Sequence, residues 1–154
     1  MTDLDNGTSV NVGVISGGTK FNVIAAHAEM KVDVRVTKKS EGERLTRLIS
    51  ELKPSQDGVT LEITGGMNRP PYEFTEANQA LFAKAAEAAA EFDIPLKHIT
   101  VGGGSDGNFT SSWGIPTLDG LGPVGDGAHA AKEHLMIDAS LQHTAILATL
   151  LSKL

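Results

Sequence analysis

The alternation of apolar and polar residues predicts three β-strands and one helix in the first part of the chain. Apolar side chains occupy every second position in segments 10–14, 30–36 and 59–63, which is the period of half-buried strands. Ser40 is predicted to open the helix, and Glu43, three positions later, would complete a capping box. The helix carries an apolar stripe at Leu45, Leu48, Ile49 and Leu52. We therefore expect an antiparallel sheet that a helix covers on one face.

Helices alternate with short strands in the rest of the chain. Pro70 and Pro71 interrupt both helix and strand, and the change of pattern there divides the chain into parts 1–66 and 67–154. Strands are predicted at 99–101 and 115–118. Such alternation of strands and helices predicts a parallel or mixed sheet layered with helices.

Three helix starts are predicted in this second part. Thr75 would cap a helix whose apolar side includes Ala85 and Ala89, and Ser105 or Asp106 would cap a shorter helical turn. A final helix would be capped by Asp138. Its predicted apolar positions are Leu141, Ala145, Ala148 and Leu151, widened by Ile146, Leu147 and Leu150.

Composition and charge exclude several classes of protein. A formal net charge of -6, with acidic and basic residues interspersed, argues against nucleic-acid binding, which normally needs a basic face. No apolar run approaches the roughly 20 residues of a membrane span. The first ten residues lack the pattern of a signal peptide, and the absence of cysteine fits either redox compartment, so localisation stays open. Without cysteine, any metal must be held by histidine and carboxylates.

His129 lies in a glycine-rich loop, Gly120 to Glu133, and is the first candidate for chemistry. A flexible loop that carries one imidazole is a common component of a metal site, but a lone loop histidine is more often a surface or hydrogen-bonding residue. Glu133 could be a second ligand or a solvated glutamate favoured by a helix dipole. His143 is expected on the exposed side of the last helix.

Two further segments have both a functional and a structural interpretation. The turn Gly102 to Asp106, GGGSD, could cradle a carboxylate or phosphate, or could be a tight turn that only glycine makes. Arg35 stands on the polar face of its strand, where a solvated arginine in a loose ion pair is usual. Asn22 lies in a turn, where local backbone preferences favour asparagine.

Taken together, three segments resemble the C-terminal portion of the M20 family of zinc metallopeptidases. They are GGTKFNVIAAHAEMKVDVR from Gly17, GGGSDGNF from Gly102 and LDGLGPVGDGAHAAKEHL from Leu118. The chain is most similar to glutamate carboxypeptidases of that family, with succinyl-diaminopimelate desuccinylase and other amidohydrolases as relatives. The resemblance implies an α/β protein: residues 1–66 would be part of an incomplete ferredoxin-like lid and dimerisation domain, and residues 67–154 the last strands and helices of the catalytic domain.

The resemblance also implies roles for single residues. His129 matches the last zinc ligand of a two-zinc site, and Asn22 and Arg35 match lid residues that bind the substrate's terminal carboxylate, in part across a homodimer. Gly103, Gly104 and Ser105 match a loop that lines the substrate site. The reaction implied is hydrolysis of an amide bond next to a free carboxylate, as in a glutamate-type substrate.

The chain departs from the family pattern in its missing catalytic residues. It contains no H-x-D pair, no adjacent Glu-Glu pair and no matching oxyanion histidine, so no catalytic residue is assigned. We expect a fragment that is inactive alone, holds no zinc tightly and needs the missing N-terminal part of the enzyme as its partner. The alternative is a non-enzymatic module that binds small anions or dimerises through Arg35 and the GGGSD turn.

Overall fold

The computed structural model describes all 154 residues as two compact units, Met1–Glu73 and Phe74–Leu154. The first unit thus ends a few residues beyond the boundary predicted at residue 66. Four helices and two small antiparallel sheets confirm the predicted mixed α/β class. None of the helices combines the length and the apolar character that crossing a membrane requires.

The first unit is built on a β-hairpin followed by a helix. Strands β1 (Ser9–Gly17) and β2 (Ala28–Arg35) pair antiparallel, and an irregularity in β1 interrupts the register between Val12 and Val14. Helix α1 (Lys39–Ser50) follows directly. These elements confirm the two strands and the helix that the apolar periodicity predicts.

The predicted capping box of α1 is wrong. The helix begins at Lys39, so Ser40 already lies inside its first turn, and the residue at the N-cap, Lys38, makes no side-chain cap. A carboxylate from outside the helix serves instead, because the backbone N–H of Lys39 donates to Glu73 Oε1 over 2.6 Å. An anionic acceptor at a helix N-terminus binds a backbone N–H that has no partner within the helix, and its charge interacts favourably with the helix dipole.

The predicted third strand at 59–63 is also wrong. This segment is irregular and its apolar residues are exposed, Val59 and Ile63 among them. A strand is defined by its hydrogen bonds to a neighbour, and the sheet of this unit contains only β1 and β2. The alternation of apolar and polar residues at 59–63 therefore marks a segment that does not pair with β1 or β2.

Two helices pack together in the second unit. Helix α2 (Glu76–Ala90) begins after Thr75, whose hydroxyl accepts from the backbone N–H of Asn78 over 3.3 Å, as the sequence predicts. Helix α4 (Ile137–Ser152) packs on it. The core at their contact consists of Ala85, Ala88, Ala89, Ile146 and Leu150.

The start and the buried side of α4 differ from the prediction. Met136 occupies the N-cap, and Asp138 lies within the first turn. There its negative charge interacts favourably with the helix dipole, but it does not cap the helix. Ile146 and Leu150 face the core, whereas Leu141 and Leu151 are each 64% exposed. A helix that is apolar nearly all round does not reveal from its sequence which side is buried.

The remaining elements of the second unit are short. Helix α3 (Gly107–Ser112) is followed by β3 (Gly125–Asp126) and β4 (His134–Leu135), which pair antiparallel. The strands predicted at 99–101 and 115–118 are irregular segments. Neither has a neighbouring strand, so their apolar side chains alone do not produce a ladder.

Candidate functional site

His129 lies at the tip of the β3–β4 hairpin. Asp126 of β3 pairs with His134 of β4, and the loop between them folds back through two internal hydrogen bonds. In these bonds the N–H of Ala130 donates to the carbonyl oxygen of Gly127 over 2.9 Å, and that of Glu133 to Ala130 over 3.0 Å. The loop thus presents His129, which is exposed, from a hydrogen-bonded turn.

The backbone of His129 adopts a left-handed conformation, with φ at 65°. Asp93 is the other non-glycine residue of the chain with a positive φ. Such a conformation costs of order 1–3 kcal/mol for a side chain larger than glycine, and it concentrates at functional turns. The sequence contains no signal for this strain.

An open depression beside this loop carries three ionisable side chains. Asp126, Glu133 and His134 line it together with apolar residues and glycine. The His134 Nδ1 atom lies 2.9 Å from the carbonyl oxygen of Lys132, and Asp126 Oδ1 accepts from the N–H of Gly127 over 2.6 Å. Both side chains are therefore occupied by their own loop.

The residues present do not form a metal site. No three His, Asp or Glu side chains of the chain are grouped so that they could hold one ion. A zinc ion usually takes about three or four protein ligands. His129 as a metal ligand therefore stays a prediction.

The GGGSD turn leads into α3 through hydrogen bonds of Ser105. Its hydroxyl accepts from the N–H of Gly107 over 3.0 Å, and its own N–H donates to Asn108 Oδ1 over 2.9 Å. Asp106 stands at the N-cap position without a side-chain cap, so Ser105 is the one of the two predicted residues that holds the turn. Gly103 and Gly104 are exposed, and a Cβ added at Gly103 would meet nothing within 4 Å. Crowding therefore does not explain the glycine at 103.

Asn78 connects both candidate segments of the second unit, a role that the sequence reasoning missed. Its side chain is 2% exposed. The Nδ2 group donates to Ser111 Oγ over 2.8 Å, and Oδ1 accepts from the N–H of Thr117 over 2.8 Å. Helix α2 is thereby joined to α3, which follows the GGGSD turn, and to the segment that precedes the His129 loop. An amide on the alanine side of α2, seven residues before Ala85, is the signal that could have revealed it.

His143 supports the same loop from α4. Its Nδ1 atom lies 2.9 Å from the carbonyl oxygen of Gly122, and the residue is half-buried. The expectation that it sits on the exposed side of the helix is therefore wrong. A loop that returns over the helix covers that side, and the sequence pattern of the helix alone cannot reveal it.

Asn22 and Arg35 lie toward opposite ends of the hairpin in the first unit. Asn22 is exposed in the β1–β2 connection, while Arg35 ends β2 and pairs with Ser9 across the sheet. The seven residue steps of β2 from Ala28 to Arg35 span about 23 Å at about 3.3 Å per residue. Arg35 Nε donates to Asp33 Oδ2 over 2.8 Å, and both side chains are more than half exposed.

A second charged cluster in this unit is more enclosed. Arg44 makes two hydrogen bonds to the Glu41 carboxylate, of 2.9 and 2.7 Å, and the buried Thr8 hydroxyl donates to the same group over 3.0 Å. The Arg44 hydrogen bonds, reinforced by Thr8, lower the pKa of Glu41 below its ordinary value, and the same pair raises the pKa of Arg44. This cluster fixes the start of β1 to α1 and has the character of a structural ion pair.

The chain is similar to known proteins in both sequence and structure. The chain matches peptidase family M20/M25/M40 over residues 2–153. An uncharacterized protein of Bacillus subtilis, YqjE, is 28% identical over 119 residues, which cover 75% of this chain and 32% of YqjE. The crystal structure of aminopeptidase PepT from Bacillus cereus superposes with a TM-score of 0.82 at 20% identity, over 96% of this chain and 40% of PepT. The chain thus spans about a third of the length of YqjE and two fifths of that of PepT.

Proposed function

Because the chain belongs to peptidase family M20/M25/M40, we propose that it is part of a metal-dependent hydrolase that cleaves an amide bond next to a free carboxylate. Peptidases of this family are generally metal-dependent. The family match over residues 2–153 carries the proposal, because it includes the loop of His129 and the GGGSD turn together. The glutamate-type substrate and the choice of zinc rest on the sequence resemblance.

His129 would be one ligand of the metal site. Its exposed imidazole at the end of a hydrogen-bonded turn supports this role, as does its strained backbone. The remaining ligands, for two zinc ions in the complete enzyme, would come from a polypeptide segment other than these 154 residues. On this proposal the isolated chain is inactive, and the first unit, Met1–Glu73, would also mediate a homodimer.

In the first unit, Arg35 and Asn22 would bind the substrate's carboxylate. In the second unit, Gly103, Gly104 and Ser105 would be the substrate contacts. A guanidinium can make two charge-assisted hydrogen bonds to one carboxylate. Because Asn22 and Arg35 lie toward opposite ends of the hairpin, the proposal favours contributions from two copies of the chain.

Metal analysis tests whether the ligand set around His129 is incomplete in this chain. The chain is dialysed against a weak chelator after loading with zinc, and the retained metal is measured per chain for the wild type and for His129→Ala. We expect less than one zinc ion per chain in both samples, because one imidazole cannot hold zinc tightly. One or two tightly retained ions that His129→Ala removes would contradict the view that the ligand set is incomplete.

Hydrolysis and binding assays separate the hydrolase from the alternative, an anion-binding module. Release of glutamate from N-acyl glutamates is measured with zinc, cobalt or manganese added, and calorimetry with glutamate measures binding. The proposal expects no turnover by the chain alone. Micromolar glutamate binding that Arg35→Gln abolishes, and that the matched change Arg47→Gln on α1 leaves intact, would favour the module.

A further inference from the structure

We propose that Asp126 is a site of spontaneous covalent modification, in which the Asp126–Gly127 step converts to isoaspartate through a succinimide. The chain contains four Asp–Gly steps, at Asp57, Asp106, Asp119 and Asp126, and one Asn–Gly step at Asn6. Glycine lacks a side chain that would shield its nitrogen, so at these steps the backbone attacks the preceding side chain most readily. The structure distinguishes Asp126 from the others.

The Asp126 carboxyl group already lies against the nitrogen that would attack it. The N–H of Gly127 points at Asp126 Oδ1 over 2.6 Å, and the carboxyl carbon is one bond beyond that oxygen. Reacting atoms about 3–3.5 Å apart define a near-attack geometry. The hydrogen bond therefore holds the Gly127 nitrogen beside the carboxyl group of Asp126.

The reaction balances without any co-reactant except water. The Gly127 nitrogen forms a bond to the Asp126 carboxyl carbon, the bond from that carbon to its hydroxyl breaks, and the amide proton leaves with the hydroxyl as water. Water then opens the five-membered ring at either of its two carbonyl groups. Opening at the original backbone carbonyl gives isoaspartate, in which the chain runs through the side-chain methylene.

Two of the other steps are held in a different arrangement. At Asn6–Gly7, the N–H of Gly7 donates to the carbonyl oxygen of Leu4 over 3.0 Å, and the Asn6 amide donates to Asp3. At Asp106–Gly107, the N–H of Gly107 donates to Ser105 Oγ over 3.0 Å. In both places the attacking nitrogen is directed away from the side chain.

Isoaspartate at this position would alter the hairpin that carries His129. Asp126 is paired with His134 in the two-residue ladder, and Gly127 accepts the hydrogen bond that folds the loop. An added backbone methylene shifts the register of everything that follows within the hairpin. Slow ageing of the protein would therefore act on the candidate metal-binding loop first.

Peptide mapping after incubation in water enriched in oxygen-18 tests the proposal. The folded chain is kept at 37 °C and near pH 6, then digested, and the heavy oxygen and the isoaspartate at each Asp–Gly step are measured by mass spectrometry. We expect Asp126 to react about tenfold faster than Asp57 or Asp119, because the Gly127 N–H hydrogen bond holds the Asp126 carboxyl group beside its attacking nitrogen. In the urea-unfolded chain the four steps should react at similar rates.

Two variants serve as controls. Asp126→Glu should abolish the label at this position, because its ring would have six members and closes far more slowly. Asp126→Asn should accelerate the reaction at the same position, because the uncharged amide is a better electrophile than a carboxylate. Equal labelling of Asp126, Asp57 and Asp119 in the folded chain, or faster labelling of Asp126 when unfolded, would overturn the proposal.

Discussion

The buried Asn78 side chain accepts a hydrogen bond from the backbone N–H of Thr117 over 2.8 Å, although the two residues are separated by 39 positions in sequence. The same amide donates to Ser111. One side chain of α2 therefore sets the position of the short helix after the GGGSD turn and of the segment that leads to His129. In the second unit, this amide connects the candidate site to the helical core.

Substitution of Asn78 by alanine should lower the free energy of unfolding by about 2 kcal/mol. The change removes two buried hydrogen bonds. The Ser111 hydroxyl and the Thr117 N–H lose these bonds but stay shielded from water, so the loss is not compensated. Urea unfolding followed by circular dichroism measures the loss. Gln79→Ala, which removes an exposed hydrogen bond to the Phe74 carbonyl oxygen, should cost less than about 0.5 kcal/mol. Equal losses for the two variants would show that the buried Asn78 hydrogen bonds stabilise the fold no more than an exposed one.

The pKa of Glu41 predicts how the stability of the first unit depends on pH. Because the Arg44 hydrogen bonds lower this pKa in the folded state below 4.5, the ionised carboxylate stabilises the fold above pH 4.5. That contribution is lost as the pH falls through the folded-state pKa. The free energy of unfolding of the wild type should therefore exceed that of Glu41→Gln at pH 7, and the difference should narrow toward pH 3.

Glu43→Gln is the matched control on the same helix. Glu43 is exposed and approaches Lys39 only to 4.0 Å, so its substitution should leave the pH profile close to that of the wild type. A difference between wild type and Glu41→Gln that stays constant from pH 7 to pH 3 would contradict the assignment.

The elements that the sequence predicts correctly depend on local interactions. The strands of the first hairpin follow from alternation over neighbouring residues, and the cap of α2 joins Thr75 to Asn78 within one turn. The class of the fold and the family resemblance follow from the same local patterns and motifs. Helix starts that depend on residues distant in sequence are not predicted. At the start of α1, for example, Glu73 supplies the hydrogen-bond acceptor that the sequence assigns to Ser40.

The candidate site is harder to predict than the fold because its geometry is set by tertiary contacts. The sequence singles out His129, but not the left-handed backbone that presents it or the contact of His143 with Gly122. The strand predicted at 59–63 fails for a related reason, since a ladder requires a partner that a one-dimensional pattern does not specify. The sequence does not predict the connecting role of Asn78, because a polar residue among the alanines of a helix is not expected in the core.

The packing of α4 predicts a contrast between two apolar residues of one helix. Ile146→Ala should lower the free energy of unfolding by about 3 kcal/mol, because Ile146 is buried against the alanines of α2. Leu141→Ala should cost less than about 0.5 kcal/mol, since its side chain is mostly exposed. Urea unfolding of both variants measures the contrast. A larger loss for Leu141→Ala would mean that the helix buries the side that its sequence pattern suggests.

The left-handed backbone of His129 predicts an unusual order of stability among its substitutions. At φ near 65°, alanine suffers the clash between Cβ and the carbonyl oxygen that glycine avoids, and this clash costs about 1–2 kcal/mol. His129→Gly should therefore be more stable than His129→Ala by about 1 kcal/mol, in spite of the greater flexibility of glycine in the unfolded chain.

The same pair of substitutions at two other positions checks the cause. Asp93, with φ at 57°, should also prefer glycine to alanine. Lys132, in the same loop as His129 but without a positive φ, should prefer alanine. If alanine is the more stable replacement at position 129, the loop does not hold the histidine in the left-handed conformation. The backbone conformation would then give no support to the proposed ligand role of His129, which would rest on the family match alone.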